Sequence, residues 1–278
     1  MLDHLAERIL NSEKNAIARG ISLVENESRQ ASELLKLLYK NTGKAYLIGI
    51  TGPPGAGKST ITNALSKVLR SKGYKIGIIA VDPTSPFTGG ALLGDRIRMQ
   101  ESGSDKDVFI RSMATRGSLG GLAKKAKEAY EILDASGKDF IIIETVGVGQ
   151  SELDIAQTAD TTIVVLVPES GDAVQTMKAG LMEIGDIFVI NKSDRDGSET
   201  LGVALRTMLH LKMTRESDRE VPVIKTVASK NKGIDELYDF IVRHKEYLEK
   251  KGKLALKRKE NLLKQINELV NNKLEHKF

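Results

Sequence analysis

A glycine-rich segment in the first quarter of the chain constrains the fold and the chemistry more than any other feature. Residues 52–59 read Gly-Pro-Pro-Gly-Ala-Gly-Lys-Ser and match G-x-x-x-x-G-K-[ST] at every fixed position. An apolar run at 46–50 precedes this segment, and a helical pattern at 60–71 follows it. A phosphate-binding loop requires that strand–loop–helix context, whereas a plain glycine-rich turn does not. The sequence therefore predicts a site for a nucleoside triphosphate.

The residue types of this loop suit the recognition of phosphate. Gly55 and Gly57 let the backbone curl so that successive N–H groups point at an anion, and the next helix adds its positive N-terminal end. Lys58 can reach the β- and γ-phosphates, and the Ser59 hydroxyl can ligate Mg²⁺. The predicted nucleotide-binding residues of the loop are Gly55, Ala56, Gly57, Lys58, Ser59 and Thr60.

Composition narrows the possible chemistry. The chain has 278 residues, of which 40% are hydrophobic and 28% charged, as in ordinary soluble proteins. It contains no cysteine and only four histidines, which rules out disulfides and thiolate metal sites and disfavours a zinc cluster. The net charge of +5 permits anionic ligands without requiring nucleic acid.

The sequence shows no targeting or membrane-spanning segment. The first residues carry charges, which is unlike a secretory signal, and the apolar runs are too short to span a bilayer. We expect a cytoplasmic protein without nucleic-acid or membrane partners.

The chain divides into three regions by pattern. Residues 1–44 show helical periodicity, in which Ser12 is predicted to cap one helix and Gly20 to interrupt another. Residues 45–248 alternate buried strands with amphipathic helices. The strands are predicted at 46–50, 76–81, 108–111, 140–144, 162–167, 187–190 and 223–227. Several are apolar on both faces, which is typical of a parallel sheet covered by helices. The fold class is therefore α/β, a doubly wound, mostly parallel sheet with ligands at the carboxyl ends of its strands.

Residues 249–278 form a third region, rich in Lys and Arg at first and then carrying an apolar stripe at helical spacing. This helix can dock on its own domain, or it can project as an arm that pairs with a second subunit or another partner. Attachment to a membrane surface is disfavoured because the apolar face lacks large aromatic anchors. The residues alone leave docking and pairing open.

A second motif indicates which base is bound. Asn191-Lys192-Ser193-Asp194 follows the predicted strand at 187–190. Asp194 can accept two parallel hydrogen bonds, from N1–H and the 2-amino group of guanine, whereas adenine would set a lone pair against the carboxylate. The Lys192 stem can cover the purine face, and Asn191 can tie the base loop to the phosphate loop. A simple capped turn is the alternative, which the position downstream of a phosphate loop disfavours.

A third base contact is predicted after the last strand, where Thr226-Val227-Ala228-Ser229-Lys230 occupies the place of a Ser-Ala-Lys-like segment. The Ala228 backbone N–H is the predicted donor to guanine O6. Val227 stands where serine is usual, so this assignment depends on position more than on residue type.

Carboxylates after the early strands are candidates for a magnesium site. Asp82 ends the second strand, Asp95 lies in a glycine-rich loop, and Glu144 ends the fourth strand ahead of Gly147. Mg²⁺ prefers such oxygen ligands and retains several waters. Each aspartate alone can also be a turn or cap residue. The predicted metal residues are Ser59, Asp82, Asp95 and Glu144, and the predicted catalytic residues are Lys58, Asp95, Glu144 and Gly147.

The segment that begins at Glu144 is a predicted switch, which would become ordered with GTP and relax with GDP, and it has one unusual feature. Most small GTPases have Asp-x-x-Gly where this chain has Glu144-Thr145-Val146-Gly147, and no glutamine follows Gly147 directly. The residue that positions the attacking water is therefore not evident. A further loop at 168–180 opens into a helical pattern at the same edge of the predicted sheet and can respond to nucleotide or serve as a routine connection.

Together these motifs resemble the MeaB/ArgK family of P-loop GTPases, over nearly the whole chain. The segments that carry the resemblance are Gly-Pro-Pro-Gly-Ala-Gly-Lys-Ser-Thr (52–60), Val-Asp-Pro-Thr-Ser (81–85), Gly-Asp-Arg-Ile-Arg-Met (94–99), Glu-Thr-Val-Gly-Val-Gly-Gln-Ser-Glu (144–152) and Gly-Asp-x-x-Gln (171–175). Members of that family have glutamate where most small GTPases have aspartate, as this chain does at Glu144. The resemblance implies the SIMIBI class, with GTP/GDP and Mg²⁺ as cofactors. It also implies that Asp82, Asp95 and Glu144 surround the magnesium.

The resemblance also implies a function. Family members serve adenosylcobalamin-dependent methylmalonyl-CoA mutase or a related mutase by gating cofactor loading and protecting or reactivating the enzyme. A cobalamin adenosyltransferase is a second expected partner. Hydrolysis is expected to be slow alone and stimulated by the mutase, and the C-terminal arm is expected to form a homodimer. The resemblance assigns an additional switch to Asp172, Gln175 and Lys178.

Three other classes remain as alternatives. A metallochaperone GTPase would need a Cys/His cluster near the nucleotide, and a small-molecule kinase would transfer phosphate to an acceptor instead of releasing it. A signal-recognition-like targeting GTPase would have a different helical N-terminal domain and an aspartate-type switch.

Overall fold

In the residues that the structure describes, the chain forms a seven-stranded parallel β-sheet between layers of helices. The structure, a computed structural model, describes residues 1–82, 105–114, 119–145, 158–169, 181–212 and 220–275. The strands are β1 (Tyr46–Thr51), β2 (Ile76–Asp82), β3 (Val108–Ala114), β4 (Phe140–Glu144), β5 (Thr161–Leu166), β6 (Ile187–Ile190) and β7 (Val223–Lys225). They pair in the order β3-β2-β4-β1-β5-β6-β7 with every pair parallel. The predicted fold class is confirmed, and "mostly parallel" becomes entirely parallel for the described strands.

Helices connect and cover these strands. In the described residues they are α1 (Leu2–Leu10), α2 (Lys14–Glu25), α3 (Arg29–Leu38), α4 (Lys58–Ser71), α5 (Leu119–Ala135), the single turn α6 (Met182–Ile184), α7 (Ser198–Lys212), α8 (Ile234–Lys250) and α9 (Lys253–Glu275). Short 3₁₀ turns lie at Tyr39–Asn41 and Ala228–Lys230. None of the helices in these ranges is long and apolar enough to cross a membrane.

Two hydrophobic clusters cover opposite faces of the sheet, because successive strand residues point to opposite sides. Leu47 and Ile141 pack with helices α1, α2, α3 and α5. Their neighbours Ile48 and Ile142 pack with α4 and α8. The N-terminal helices therefore share one core with the sheet. A third cluster, which includes Leu205, joins α7 to β5 and β6.

Two local predictions for the N-terminal helices are wrong. Gly20 lies inside α2, and a Cβ added there would lie 3.0 Å from Ile9 Cδ1. The glycine permits close helix packing, so it does not end a helix. Ser12 has a left-handed backbone (φ 60°), and its hydroxyl donates to the Ser136 carbonyl at the end of α5. The N-cap of α2 is Glu13, without a side-chain capping bond.

The C-terminal region is helical as expected. Gly252, with φ 66°, separates α8 from α9. The first turns of α9 contact the amino-terminal edge of the sheet through Arg258. Farther along, Leu262, Leu263 and Ile266 are exposed.

Candidate nucleotide-binding site

The carboxyl edge of the sheet brings most of the described motif residues together. Strand β1 leads into the phosphate loop at Gly52, and its neighbour β4 ends at Glu144. On the other side, Asn191 follows β6, and the Ala228 turn follows β7. Because all seven strands are parallel, these four segments emerge at one edge.

The phosphate loop curls tightly because two glycines have positive φ and no room for a side chain. Gly52 has φ 138°, and a Cβ there would lie 2.1 Å from the Val165 carbonyl oxygen. Gly57 has φ 88°, and a Cβ there would lie 2.4 Å from Asn191 Nδ2. Gly57 is also the N-cap of α4, so the loop leads directly into the helix N-terminus. Anions are favoured at such a terminus.

The Lys58 side chain lies against the backbone of the phosphate loop. Its Nζ donates to the carbonyl oxygens of Gly52 at 2.8 Å and Pro53 at 3.1 Å, and the residue is only 6% exposed. These contacts keep the ammonium beside the curl of the backbone. A phosphate oxygen is a stronger, charge-assisted acceptor than a carbonyl, so it can replace either bond.

Asn191 joins the phosphate loop to the base-recognition segments. Its Nδ2 donates to the Ala56 carbonyl at 2.9 Å. Its Oδ1 accepts bonds from Thr226 Oγ1 and the Ala228 N–H, both at 3.1 Å. The side chain is buried, so both ends of the amide are satisfied by protein groups, as buried amides require. The predicted link between the two loops is present in the structure.

Beside this junction is a pocket of about 180 Å³. Its lining comes from the phosphate loop, the Asn191 segment and the β7 turn: Gly57, Thr60, Asn191, Lys192, Asp194, Arg195, Val227, Ala228 and Ser229. Predicted nucleotide-binding residues from three separate segments therefore share one cavity.

Asp194 is held at this pocket by a neighbouring lysine. Lys230 Nζ contacts Asp194 Oδ2 at 2.9 Å, and the Asp194 side chain is 41% exposed. The hydrogen bond from Lys230 lowers the pKa of the Asp194 carboxyl below its usual value. The group is therefore ionised at neutral pH, with acceptor capacity on both oxygens for two parallel donors.

The backbone of the base loop is in an uncommon conformation. Lys192 has φ 55°, in the left-handed region that non-glycine residues seldom occupy. The Ser193 N–H donates to the Thr226 carbonyl at 3.0 Å and holds the loop against the β7 side. Strained residues of this kind cluster where a site needs fixed geometry.

A hydroxyl and a carboxylate meet where the magnesium site was predicted. Ser59 Oγ donates to Glu144 Oε1, and Glu144 is buried at 6% exposure. The adjacent Thr145 N–H donates to the Ile50 carbonyl at 3.0 Å, which keeps the end of β4 beside β1. Mg²⁺ takes oxygen ligands of this kind, so the donor chemistry fits that ion. The part of the chain that the structure describes holds no cluster of three or more His, Cys, Asp or Glu that could bind a metal on its own.

Several predicted residues fall outside the described ranges: Asp95, Gly147, Asp172, Gln175 and Lys178. The backbone of Asp82 ends β2 at the nucleotide edge, but its side chain is not among those described. The Ala228 N–H donates to Asn191, so a bond to guanine O6 would have to share or replace that contact. The roles of these residues stay predictions.

Three contacts of the site were not anticipated from the sequence. Besides the pairing of Lys230 with Asp194, Thr226 bonds Asn191, and Arg195 forms an ion pair with both carboxylate oxygens of Glu169. The Arg195 pair joins the base loop to the segment that follows β5. A basic residue directly after the Asp194 motif was the only available signal, and it does not specify a partner.

Comparison with known proteins identifies the family. The family described as "Methylmalonyl Co-A mutase-associated GTPase MeaB" matches residues 17–278. The chain belongs to the MeaB family of GTPases. The predicted recognition is therefore confirmed. The GTPase named ArgK from Escherichia coli is 36% identical over 96% of this chain and 84% of its own length.

Other MeaB-family relatives cover similar shares. A Pyrococcus abyssi protein is 55% identical over 97% of this chain and 84% of its own length. The mouse protein named "Methylmalonic aciduria type A homolog, mitochondrial" is 34% identical over 99% of this chain and 71% of its own length. Homologues named as GTPases establish that the family hydrolyses GTP, so the predicted enzyme class is confirmed.

Solved structures agree with the fold. The crystal structure of a protein named "LAO/AO transport system kinase" matches with a TM-score of 0.80 and 29% identity, covering 98% of this chain and 84% of that one. HypB from Helicobacter pylori, solved in complex with nickel, has a TM-score of 0.53 and 20% identity, covering 78% of this chain and 94% of that one. At that identity the second match concerns the fold alone.

Proposed function

We propose that this MeaB-family GTPase is a nucleotide-dependent chaperone of methylmalonyl-CoA mutase or a related cobalamin mutase. In this role it gates the loading of adenosylcobalamin and protects or reactivates the mutase. The observation that carries the proposal is the match of residues 17–278 to a family described as mutase-associated. The mouse relative, whose name refers to methylmalonic aciduria, supports the same client.

Within this proposal the site binds GTP or GDP with Mg²⁺. Asp194, ionised by its contact with Lys230, accepts the guanine N1–H and 2-amino donors. Lys58 exchanges its carbonyl partners for the β- and γ-phosphates and lowers the charge repulsion at the scissile bond. The Ser59 hydroxyl and the Glu144 carboxylate would hold Mg²⁺, which would supply further charge neutralisation on the phosphates.

In this proposal the site acts as a nucleotide-dependent switch more than as a rapidly hydrolysing enzyme. Glu144 stands where most small GTPases have aspartate, and no glutamine follows Gly147 directly to orient water. Hydrolysis is slow alone and is stimulated by the mutase. The remaining assignments of the proposal are Asp82 and Asp95 in the magnesium shell, and Asp172, Gln175 and Lys178 in an additional switch.

The proposal also covers assembly and location. The exposed apolar residues of α9, Leu262, Leu263 and Ile266, support a homodimer formed through the C-terminal arm. A cobalamin adenosyltransferase is a second partner, since it supplies the cofactor whose loading is gated. The protein acts in the cytoplasm.

The experiment combines purification with kinetics. Tagged protein is tested for a complex with a cobalamin mutase, and phosphate release from GTP is measured with and without that mutase. We expect a complex and at least about tenfold stimulation, well within the range that GTPase partners achieve. A Lys58→Ala variant serves as the hydrolysis-deficient control. If neither a complex nor stimulation is found, the chaperone proposal fails while the GTPase assignment stands.

A small-molecule kinase is the second candidate, favoured by the kinase name of the structural relative at 29% identity. A kinase would transfer the γ-phosphate stoichiometrically to an acceptor, whereas the chaperone proposal predicts free phosphate. A metallochaperone is disfavoured, because the chain has no cysteine and the described residues contain no His/Asp/Glu metal cluster.

A further inference from the structure

Arg258, near the start of α9, fastens the C-terminal helix to the amino-terminal edge of the sheet. Its Nε donates to Asp160 Oδ1 at 2.9 Å and its Nη2 to Asp160 Oδ2 at 2.6 Å, a bidentate pair. Nη1 donates to the Gly43 carbonyl at 2.7 Å, and Nη2 also donates to the Ala45 carbonyl at 2.8 Å. One guanidinium therefore contacts the residues before β1 and the residue before β5. We call this set of four residues the clasp.

Two further contacts come from the same turns of α9. Lys257 Nζ donates to the Asp160 carbonyl, and Asn261 Nδ2 donates to the Thr158 carbonyl, both at 3.4 Å. These bonds are longer than those of Arg258, so Arg258 is the main anchor. Beyond Asn261, the apolar side chains of Leu262, Leu263 and Ile266 are exposed. The start of the helix is thus attached by these polar contacts and by Leu254, which packs against the core that contains α4 and α8.

The clasp lies at the start of β1, which leads into the phosphate loop, and of its neighbour β5. Asp160 is bonded to β1 in both directions, because its N–H donates to the Leu47 carbonyl and its Oδ2 accepts the Leu47 N–H, both at 2.8 Å. Strands β1 and β5 stay paired up to Thr51 and Val164. Just beyond, Gly52 packs against the Val165 carbonyl without space for a Cβ. The clasp and the phosphate loop therefore occupy opposite ends of one strand pair.

We propose that docking of α9 through Arg258 is energetically coupled to nucleotide binding across β1 and β5, with Arg258 as the positioning residue. In this proposal the strand pair, with a tight contact at each end, transmits the effect, and the attached helix has two arrangements, docked and released. Coupling of this kind needs such a two-state element, which both sites can bias. Because coupling is reciprocal, nucleotide must change the docking of α9, and docking must change nucleotide affinity by the same factor.

The residue types support a specific contact. Arginine is the side chain suited to bidentate carboxylate pairing together with carbonyl acceptors, and lysine lacks that planar fork. The Asp160 side chain is 4% exposed, so it requires its partners. Lys259, the next residue of α9, is exposed and provides a matched control for the loss of one positive charge.

The test compares hydrogen–deuterium exchange of residues 253–261 in the full-length protein with and without GDP or a non-hydrolysable GTP analogue. We expect at least one nucleotide to change exchange there by about fivefold or more in the wild type and in Lys259→Met. The change should be lost in Arg258→Met and only partly retained in Arg258→Lys. Since Arg258→Met leaves Asp160 uncompensated, the double variant Arg258→Met/Asp160→Asn is measured as well and should also lose the change. The double variant should bind the nucleotide that changes exchange with an affinity that differs from the wild-type affinity. The factor should equal the change in exchange that this nucleotide causes in the wild type.

Two results would overturn the proposal. One is wild-type exchange in α9 that is the same in all nucleotide states. The other is a nucleotide-dependent change that persists in the folded double variant. The experiment needs no mutase, so its failure is distinguishable from failure of the chaperone proposal.

Discussion

The Asn191 side-chain amide donates to the Ala56 carbonyl at 2.9 Å and so joins the base-recognition loop to the phosphate loop. The same amide accepts bonds from Thr226 and Ala228 on the β7 side. One buried side chain therefore sets the relative position of three segments that a guanine nucleotide would contact together.

Replacing Asn191 should weaken nucleotide binding more than it weakens the fold. In Asn191→Ala, buried partners lose bonds worth about 1–3 kcal/mol, so GTP and GDP affinity should fall about five- to a hundredfold. Asn191→Asp keeps the acceptor for Thr226 and Ala228 but loses the donor to Ala56, and should also bind weakly. Titration with a fluorescent guanine nucleotide measures both. Unchanged affinity in Asn191→Asp would show that the bond to Ala56 is dispensable.

The two inner glycines of the phosphate loop should respond differently to alanine. Both need positive φ, but a Cβ at Gly57 meets Asn191 Nδ2 at 2.4 Å, whereas a Cβ at Gly55 meets nothing within 4 Å. Left-handed backbone alone costs about 1–2 kcal/mol for alanine. Gly55→Ala should therefore lower GTP affinity by about five- to thirtyfold, and Gly57→Ala by more than about thirtyfold. Equal losses in the two variants would contradict the role of the Asn191 contact.

The magnesium assignment predicts a charge effect at Glu144. Glu144→Gln preserves a hydrogen-bond acceptor for Ser59 but removes the negative charge that attracts the ion. The Mg²⁺ concentration needed for half-maximal GTP hydrolysis should rise by about tenfold or more, because a charged oxygen ligand or water acceptor is lost. GDP binding in EDTA is the control and should match the wild type. An unchanged Mg²⁺ requirement would remove Glu144 from the metal site.

Lys138, which lies before β4, gives a pH-dependent stability prediction. Burial lowers its pKa from 10.5 to about 8, although Asp107 acts in the opposite direction. Between about pH 8 and 10.5 the unfolded chain then holds a proton that the folded chain has released, so stability should rise with pH in that window. The rise from this one group should be about 1–3 kcal/mol, and Lys138→Met should remove it. Urea unfolding at several pH values measures the difference. A parallel pH dependence in the variant would contradict the shift.

Much of this architecture could be predicted because its signals are local. The apolar strands and the phosphate loop can be recognised from residue type and spacing. All seven strands were therefore predicted near their observed positions. Gly20 shows the limit of such signals. A glycine in a helical pattern can mark an end or a close contact, and only the position of Ile9 in the folded chain decides between them.

The contacts within the site were harder to predict, because they join residues far apart in sequence. Asp194 was identified from its motif, but its lysine partner lies on another segment after β7. The same holds for Arg258 and Asp160, which sequence analysis placed in different regions. Ser12 was misassigned for the same reason, since its hydroxyl bonds the distant Ser136 carbonyl and does not cap the next helix.

Guanine recognition by Asp194 underlies every role given to this site, and nucleotide specificity tests it most directly. In Asp194→Asn the side chain can donate to the 2-oxo group of xanthine but can no longer accept two guanine donors. The affinities of wild type and variant for GTP and xanthosine triphosphate, measured side by side, should show a reversed preference in the variant. Overall folding should be unchanged, because Asp194 is exposed. A variant that still prefers GTP to the same degree as the wild type would contradict guanine recognition by this residue.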